Sequence, residues 1–157
     1  MPRPAASAAL RIRGLRADDL DDVVRLDALH TGERKPAYWR RVFGDFLDDD
    51  RAARRVGLAA EHHGELVAYL LGEVRAFEFG SEACGWVFAV GVAPGAMRHG
   101  VASRLLADCG RRFRAAGVGR IRTMVPRSNV PVLSFFRANG FVGGSFVQLE
   151  RDLEEER

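Results

Sequence analysis

Val92-Ala93-Pro94-Gly95-Ala96-Met97-Arg98-His99-Gly100-Val101-Ala102-Ser103-Arg104-Leu105-Leu106 is the stretch on which the architecture turns. Residues 84–92 before and into it read as a strand. After it, Val101, Leu105, Leu106, Cys109 and Phe113 fall at helical spacing. A strand, a tight loop and a helix therefore follow one another directly. A helix N-terminus leaves several main-chain N–H groups without internal acceptors and carries partial positive charge, so an anion placed there is stabilised. Gly100 removes the side chain where a phosphate would approach the backbone most closely, and Arg98, His99 and Arg104 add donors. A Walker loop is excluded because Gly-Lys-Ser/Thr is missing, and a dinucleotide fingerprint because G-x-G-x-x-G is missing. Taken alone, the loop reads equally well as a turn with two structural glycines, Gly95 and Gly100, and solvated arginines.

Working outward, residues 9–15 alternate as a first strand, and Asp18 stands as an N-cap before a helix carrying Leu20, Val23, Val24 and Leu29. A polar loop over residues 30–36 leads to a second helix through Tyr38, Trp39, Val42, Phe43 and Phe46, which stops at Asp48-Asp49-Asp50. Residues 55–61 and 66–79 form a hairpin across a His-His-Gly-Glu turn, and residues 84–92 add a third antiparallel strand. Beyond the third helix, Gly117 and Gly119 make the break, residues 121–125 form a short strand, and Asn129 caps a final helix that Gly140 stops. Residues 141–149 supply a closing strand. This order predicts an α+β (mixed α/β) fold, a central mixed and mostly antiparallel sheet flanked by helices on both faces.

A chain of 157 residues is the length of one domain and buries about two-thirds of the surface its unfolded form exposes. A single domain over residues 1–157 is expected, with residues 1–8 a loose tail. Apolar residues at 47% and charged residues at 29% give the balance of a soluble protein. No run is long enough for a bilayer, and the N-terminus lacks the apolar core of an export signal, so a cytoplasmic protein with no membrane partner is expected. Cys84 and Cys109 fit no zinc spacing and read as reduced structural thiols, with no metal site. The net charge of +3 is scattered among acidic residues and not gathered into a stripe, which argues against a nucleic-acid partner. Every basic residue other than Lys35 and the histidines is arginine. A homodimer is left open.

Val92-Ala93-Pro94 followed by Met97 to Ala102 and Leu105-Leu106 resembles the coenzyme A pyrophosphate loop of the GNAT acetyltransferase superfamily, whose pattern is Gln/Arg-x-x-Gly-x-Gly/Ala after V-x-P. Asn129, Phe136 and Asn139-Gly140-Phe141 resemble the same family's N…Y…GF segment at its spacing, and the element order agrees. The resemblance implies an N-acetyltransferase that moves an acetyl group from the cosubstrate acetyl-CoA to a primary amine of a small molecule or a protein. It implies that the amides from Arg98 to Ser103, namely Arg98, His99, Gly100, Val101, Ala102 and Ser103, wrap the pyrophosphate. It also implies that Val90 and Val92 pair with the pantetheine arm and that Asn129 bonds pantetheine or adjacent backbone. The first two helices would form the acceptor wall, where Glu33, Arg34, Tyr38, Trp39 and Arg40 stand.

Three positions depart from that pattern. Met97 holds the loop's usual Gln/Arg position, and Phe136 stands where many relatives have a tyrosine that protonates the leaving thiolate. Trp86 and Met124 occupy the two strand positions at which relatives place a glutamate base. Attack by an amine of pKa about 10.4 on a thioester benefits from proton removal. Water, positioning and a main-chain N–H on the developing oxyanion can still lower the barrier. Glu73 and Glu82 are the substitute bases, and Ser134 the substitute donor to sulfur, although each also fits a plain surface residue. The alternative is a catalytically degenerate coenzyme A-binding sensor.

Overall fold

Strand-forming runs of Val, Leu and Ala in the middle of the chain build the sheet, and the computed structural model describes residues 10–76 and 78–154 of the chain. The expected tail at 1–8 lies outside them. The chain divides into two compact units, Met1–Met124 and Val125–Arg157. The first holds five strands in spatial order: β1 (Arg11–Gly14), β2 (Arg55–His62), β3 (Glu65–Arg75), β4 (Cys84–Val92) and β5 (Ile121–Thr123). Pairing is antiparallel from β1 to β4 and parallel between β4 and β5. The sheet is thus mixed and mostly antiparallel, as the sequence predicts.

Helices α1 (Leu20–Thr31), α2 (Pro36–Phe46) and α3 (Val101–Ala115) cover it, and α4 (Val130–Ala138) belongs to the second unit. On one face Val23, Val24 and Leu26 of α1 and Trp39, Val42 and Phe43 of α2 pack with Ala59, Tyr69 and Leu71 of the sheet. Strand side chains alternate, so Leu58 and Leu70, fully buried, face the other way, toward α3. Each such leucine contributes about 1.5–3 kcal/mol by burial. The ring of Phe113 lies flat over main chain that carries no Cβ: an added Cβ at Gly85 would come within 2.5 Å of it, and one at Gly72 within 2.9 Å. Gly85→Ala is therefore expected to overpack a site that cannot yield and lower stability by about 1–3 kcal/mol, read as a shift of the urea midpoint at unchanged m-value.

The strand-end and cap expectations need four corrections. The sheet-facing stripe of α1 runs through Leu20, Val23, Val24 and Leu26, and Leu29 is 58% exposed, because steps of about 100° per residue carry position 29 to the far side of Val23. The aspartate that matters before α1 is Asp19, not Asp18. Asp19 is buried, and its Oδ2 accepts from the Arg16 amide at 2.7 Å. β3 ends at Arg75, opposite Cys84, and does not reach Phe79. Among the described residues the ladder has no pair beyond that one, and Phe79 adopts φ 49° fully in solvent. Residues 141–149 form no strand; Gly143-Gly144 interrupt the alternation, and glycine weakens a strand that has no ladder to hold it.

Asp19 anchors a small ionic centre. Arg13 donates both Nη atoms to its two carboxylate oxygens at 2.8 Å, and Arg13 Nε donates to Glu61 at 2.9 Å. Burial alone would raise the Asp19 pKa, but these bonds and the Arg16 amide hold it below the ordinary aspartate value. Both cysteines are buried free thiols, and burial pushes Cys109 up to about 12, which leaves it unreactive. Among the described residues no helix is long and apolar enough to cross a membrane.

Candidate functional site

The open edge of β4 is where chemistry can enter. Between the pairs Gly72–Val87 and Leu71–Ala89, Phe88 is an extra residue with no counterpart on β3, a bulge of the kind that bends a strand and re-aims its side chains. At the same level β5 stops: its last pair is Val87–Thr123, and Thr123 Oγ1 donates to the Val87 carbonyl at 2.8 Å. Among the described residues, 88–92 continue with a strand neighbour only on the β3 side. The Ala93 amide donates to Val67 O at 2.7 Å, toward β3. A trans peptide points its carbonyl the opposite way, so Val92 O faces the unpaired side. There the imidazole of His30, from the last turn of α1, lies with Nε2 at 2.8 Å. A carbonyl can only accept, so Nε2 carries the proton in this pair.

The same strand runs into the predicted loop. Pro94–Ala96 make one 3-10 turn; Arg98 adopts φ 66° and Gly100 φ 73°. Left-handed backbone at a non-glycine residue such as Arg98 is uncommon and is maintained only where the surroundings hold it. Alternation of this kind turns successive amides toward a common concavity. Gly100 is the N-cap of α3, its carbonyl accepting from Arg104 N at 3.0 Å. The amides of Val101, Ala102 and Ser103 have no acceptor within the helix. Met97, Arg98, His99 and Gly100 are exposed, and an added Cβ at Gly100 would meet nothing within 4 Å. Within the chain itself, then, glycine is required there by φ and not by crowding.

Beside Val90 lies a cavity of about 400 Å³ between α1, α2 and the sheet. Its polar centre is Asp27, whose Oδ2 accepts from Trp39 Nε1 at 3.0 Å and pairs with Lys35 Nζ at 3.2 Å. Tyr38, Trp39 and Tyr69 wall it, with Trp39 edge-on to both tyrosines at 5.2 and 5.6 Å. Burial first, then the charge of Asp27, raises the Tyr69 pKa, so its hydroxyl stays protonated. Tyr69 also stacks where a Cβ at Gly91 would fall within 2.4 Å. Of the acceptor-wall candidates, Tyr38 and Trp39 line this cavity, whereas Glu33, Arg34 and Arg40 are exposed.

A second cavity of about 390 Å³ shares Tyr38 and Phe88 with the first and is lined by Arg41, Arg55, Glu73 and Arg75. Glu73 pairs with Arg75 at 3.2 Å, and Arg75 stacks on Trp86 at 4.8 Å. Glu82 is exposed in the connection before β4, and Met124 is exposed just past β5. In the second unit Asn129 caps α4, its Oδ1 accepting from Val132 N at 3.3 Å. Ser134 is exposed, and Phe136 is buried with its ring edge-on to Phe135 and Phe141.

Sequence reasoning did not single out Asp27, His30 or Tyr69. The signal for the first two lay in helix phase: at about 100° per residue both project with Val23 toward the sheet, two polar groups on the apolar face of an amphipathic helix.

The acetyltransferase (GNAT) family matches residues 20–141 of the chain. Among solved structures, an aminoglycoside N-acetyltransferase AAC(6')-Iy in complex with CoA is 17% identical, covers 98% of this chain and 99% of its own, and superposes with a TM-score of 0.79. The aminoglycoside 6'-N-acetyltransferase AAC(6')-Ih from Acinetobacter baumannii is 15% identical over 92% of this chain and 99% of its own, TM-score 0.76. A transcriptional regulator from Bacillus halodurans C-125 is 19% identical over 92% and 100%, TM-score 0.75. No curated protein sequence matches the chain.

Proposed function

Because this chain belongs to the acetyltransferase (GNAT) family, we propose that it is an N-acetyltransferase that moves an acetyl group from acetyl-CoA to a primary amine of a small molecule or a protein. One observation carries the reading: the free edge of β4 over residues 88–92 leads straight into the amide-lined mouth of α3. An extended arm ending in a diphosphate fits that path. Val90 and Val92 offer main-chain partners to the arm, and the amides from Arg98 to Ser103 offer donors to the phosphates, with Met97 packing beside them. Asn129 and Phe136 are assigned to the same cosubstrate from the family pattern alone.

The chemistry asks little more of the chain than position. An acceptor amine entering the Asp27 cavity meets the thioester carbonyl at the bulged part of β4, where a main-chain N–H can stabilise the oxyanion. The amine gives its proton to water. Glu73 is shared with Arg75 and Ser134 lies on an exposed helix face, so neither is assigned a larger part than holding water or donating to sulfur. Phe136, Trp86 and Met124 cannot exchange protons, and they favour a second reading, a domain that binds coenzyme A without turnover.

The outcome expected for both readings is a rise in Tm with acetyl-CoA, worth about 2.7 kcal/mol at a hundredfold excess over Kd. No rise at millimolar acetyl-CoA would sink both. Release of free thiol in the presence of an amine and peptide panel then separates them, since a sensor binds and releases none.

A further inference from the structure

We propose that Lys35 is itself an acceptor: the chain acetylates its own lysine, in cis, from bound acetyl-CoA. The inference rests on the reading that the thioester lies along residues 88–92. Lys35 is the one lysine among 157 residues. It immediately precedes α2, and its side chain lines the cavity whose sheet wall is Phe88, Ala89 and Val90. Asp27 fixes it there. The Nζ–Oδ2 distance is 3.2 Å, and the carboxylate that holds it is in turn held by the Trp39 indole N–H. The cavity that the proposed function gives to the acceptor therefore already contains a primary amine, supplied by the chain.

The reaction balances without another reagent. The carbon–sulfur bond of the thioester breaks and an amide bond to Nζ forms. Of the two protons that leave the ammonium, one passes to solvent through the cavity mouth and the other ends on the coenzyme A thiol. Holding the amine beside the thioester is what makes the step competitive. Acetylation removes the charge of Lys35 and releases Asp27 from its ion pair, leaving the carboxylate to a free acceptor.

The full-length chain is incubated with acetyl-CoA and followed by intact mass and by peptide mapping, alongside Lys35→Arg and a synthetic peptide of residues 30–40 without enzyme. The folded chain is expected to gain one acetyl group at Lys35 on the order of 100-fold faster than the peptide, at a rate per molecule that does not change on dilution. Lys35→Arg gains none at that position and keeps the Tm response to acetyl-CoA. An unmodified Lys35, or one modified no faster than the peptide, in a chain whose Tm does rise overturns self-acetylation and leaves the proposed function standing. A rate per molecule that falls on dilution overturns the cis step. No Tm response overturns the reading of the site and this inference with it.

Discussion

Asp19→Ala is expected to remove about 1.5–3 kcal/mol of stability, because it takes the bidentate charge-assisted partner from an arginine side chain that is 12% exposed and leaves Glu61 as its one counter-charge in this centre. The arginine donates two bonds to Asp19, one to Glu61 and one, from Nη1, to the Gly14 carbonyl; deleting Asp19 removes two of the four. Glu61 remains but reaches only Nε. The effect reads out as a lower urea midpoint, and a loss under about 1 kcal/mol would show the pair to be no better than a surface salt bridge. The same centre sets an acid limb. The folded chain holds Asp19 below the ordinary aspartate value, so as pH falls the unfolded chain binds the proton first. Its contribution is complete above the unfolded aspartate pKa of about 3.9 and drains away as pH drops through the lower native value. The alanine variant lacks this portion of the acid limb.

Gly100→Val is expected to weaken acetyl-CoA binding on the order of 100-fold, the equivalent of losing roughly one hydrogen bond to a charged group. It also loses about 1–2 kcal/mol of stability, because valine must enter φ 73°. Gly100→Asn separates the two effects. Asparagine tolerates left-handed backbone, so stability stays close to that of the parent while the side chain intrudes on the phosphates. Calorimetry should rank affinity as glycine above asparagine above valine, with denaturation moving only for valine. If affinity follows stability through the series, or asparagine binds as tightly as glycine, Gly100 serves the turn alone.

What the sequence disclosed was local. Strand, loop and helix from Cys84 to Phe113 were readable because Gly100 starts α3 where the apolar spacing begins, and the helix indeed starts at Val101. The bulge at Phe88 was not readable, since an extra residue in a ladder is defined by the strand opposite. Asp27 and His30 share the phase of Val23 and were passed over because polar residues of an amphipathic helix are expected on its solvated face. Tyr69 looked like any core aromatic, and only the bare main chain at Gly91 gives its ring the room to reach the cavity. The closing strand failed for the opposite reason. Its composition suits a strand, yet Gly143-Gly144 divide it and it forms none.

If the donor's arm lies along residues 88–92 as proposed, His30 changes how tightly it can be held. The Val92 carbonyl already accepts a hydrogen bond from the imidazole, so a pantetheine amide arriving there exchanges one donor for another and releases the ring. The net gain at that point is small, however good the final geometry looks. Recognition is thereby shifted onto the diphosphate end, and a fragment such as free pantetheine, lacking it, finds a strand edge that is already satisfied.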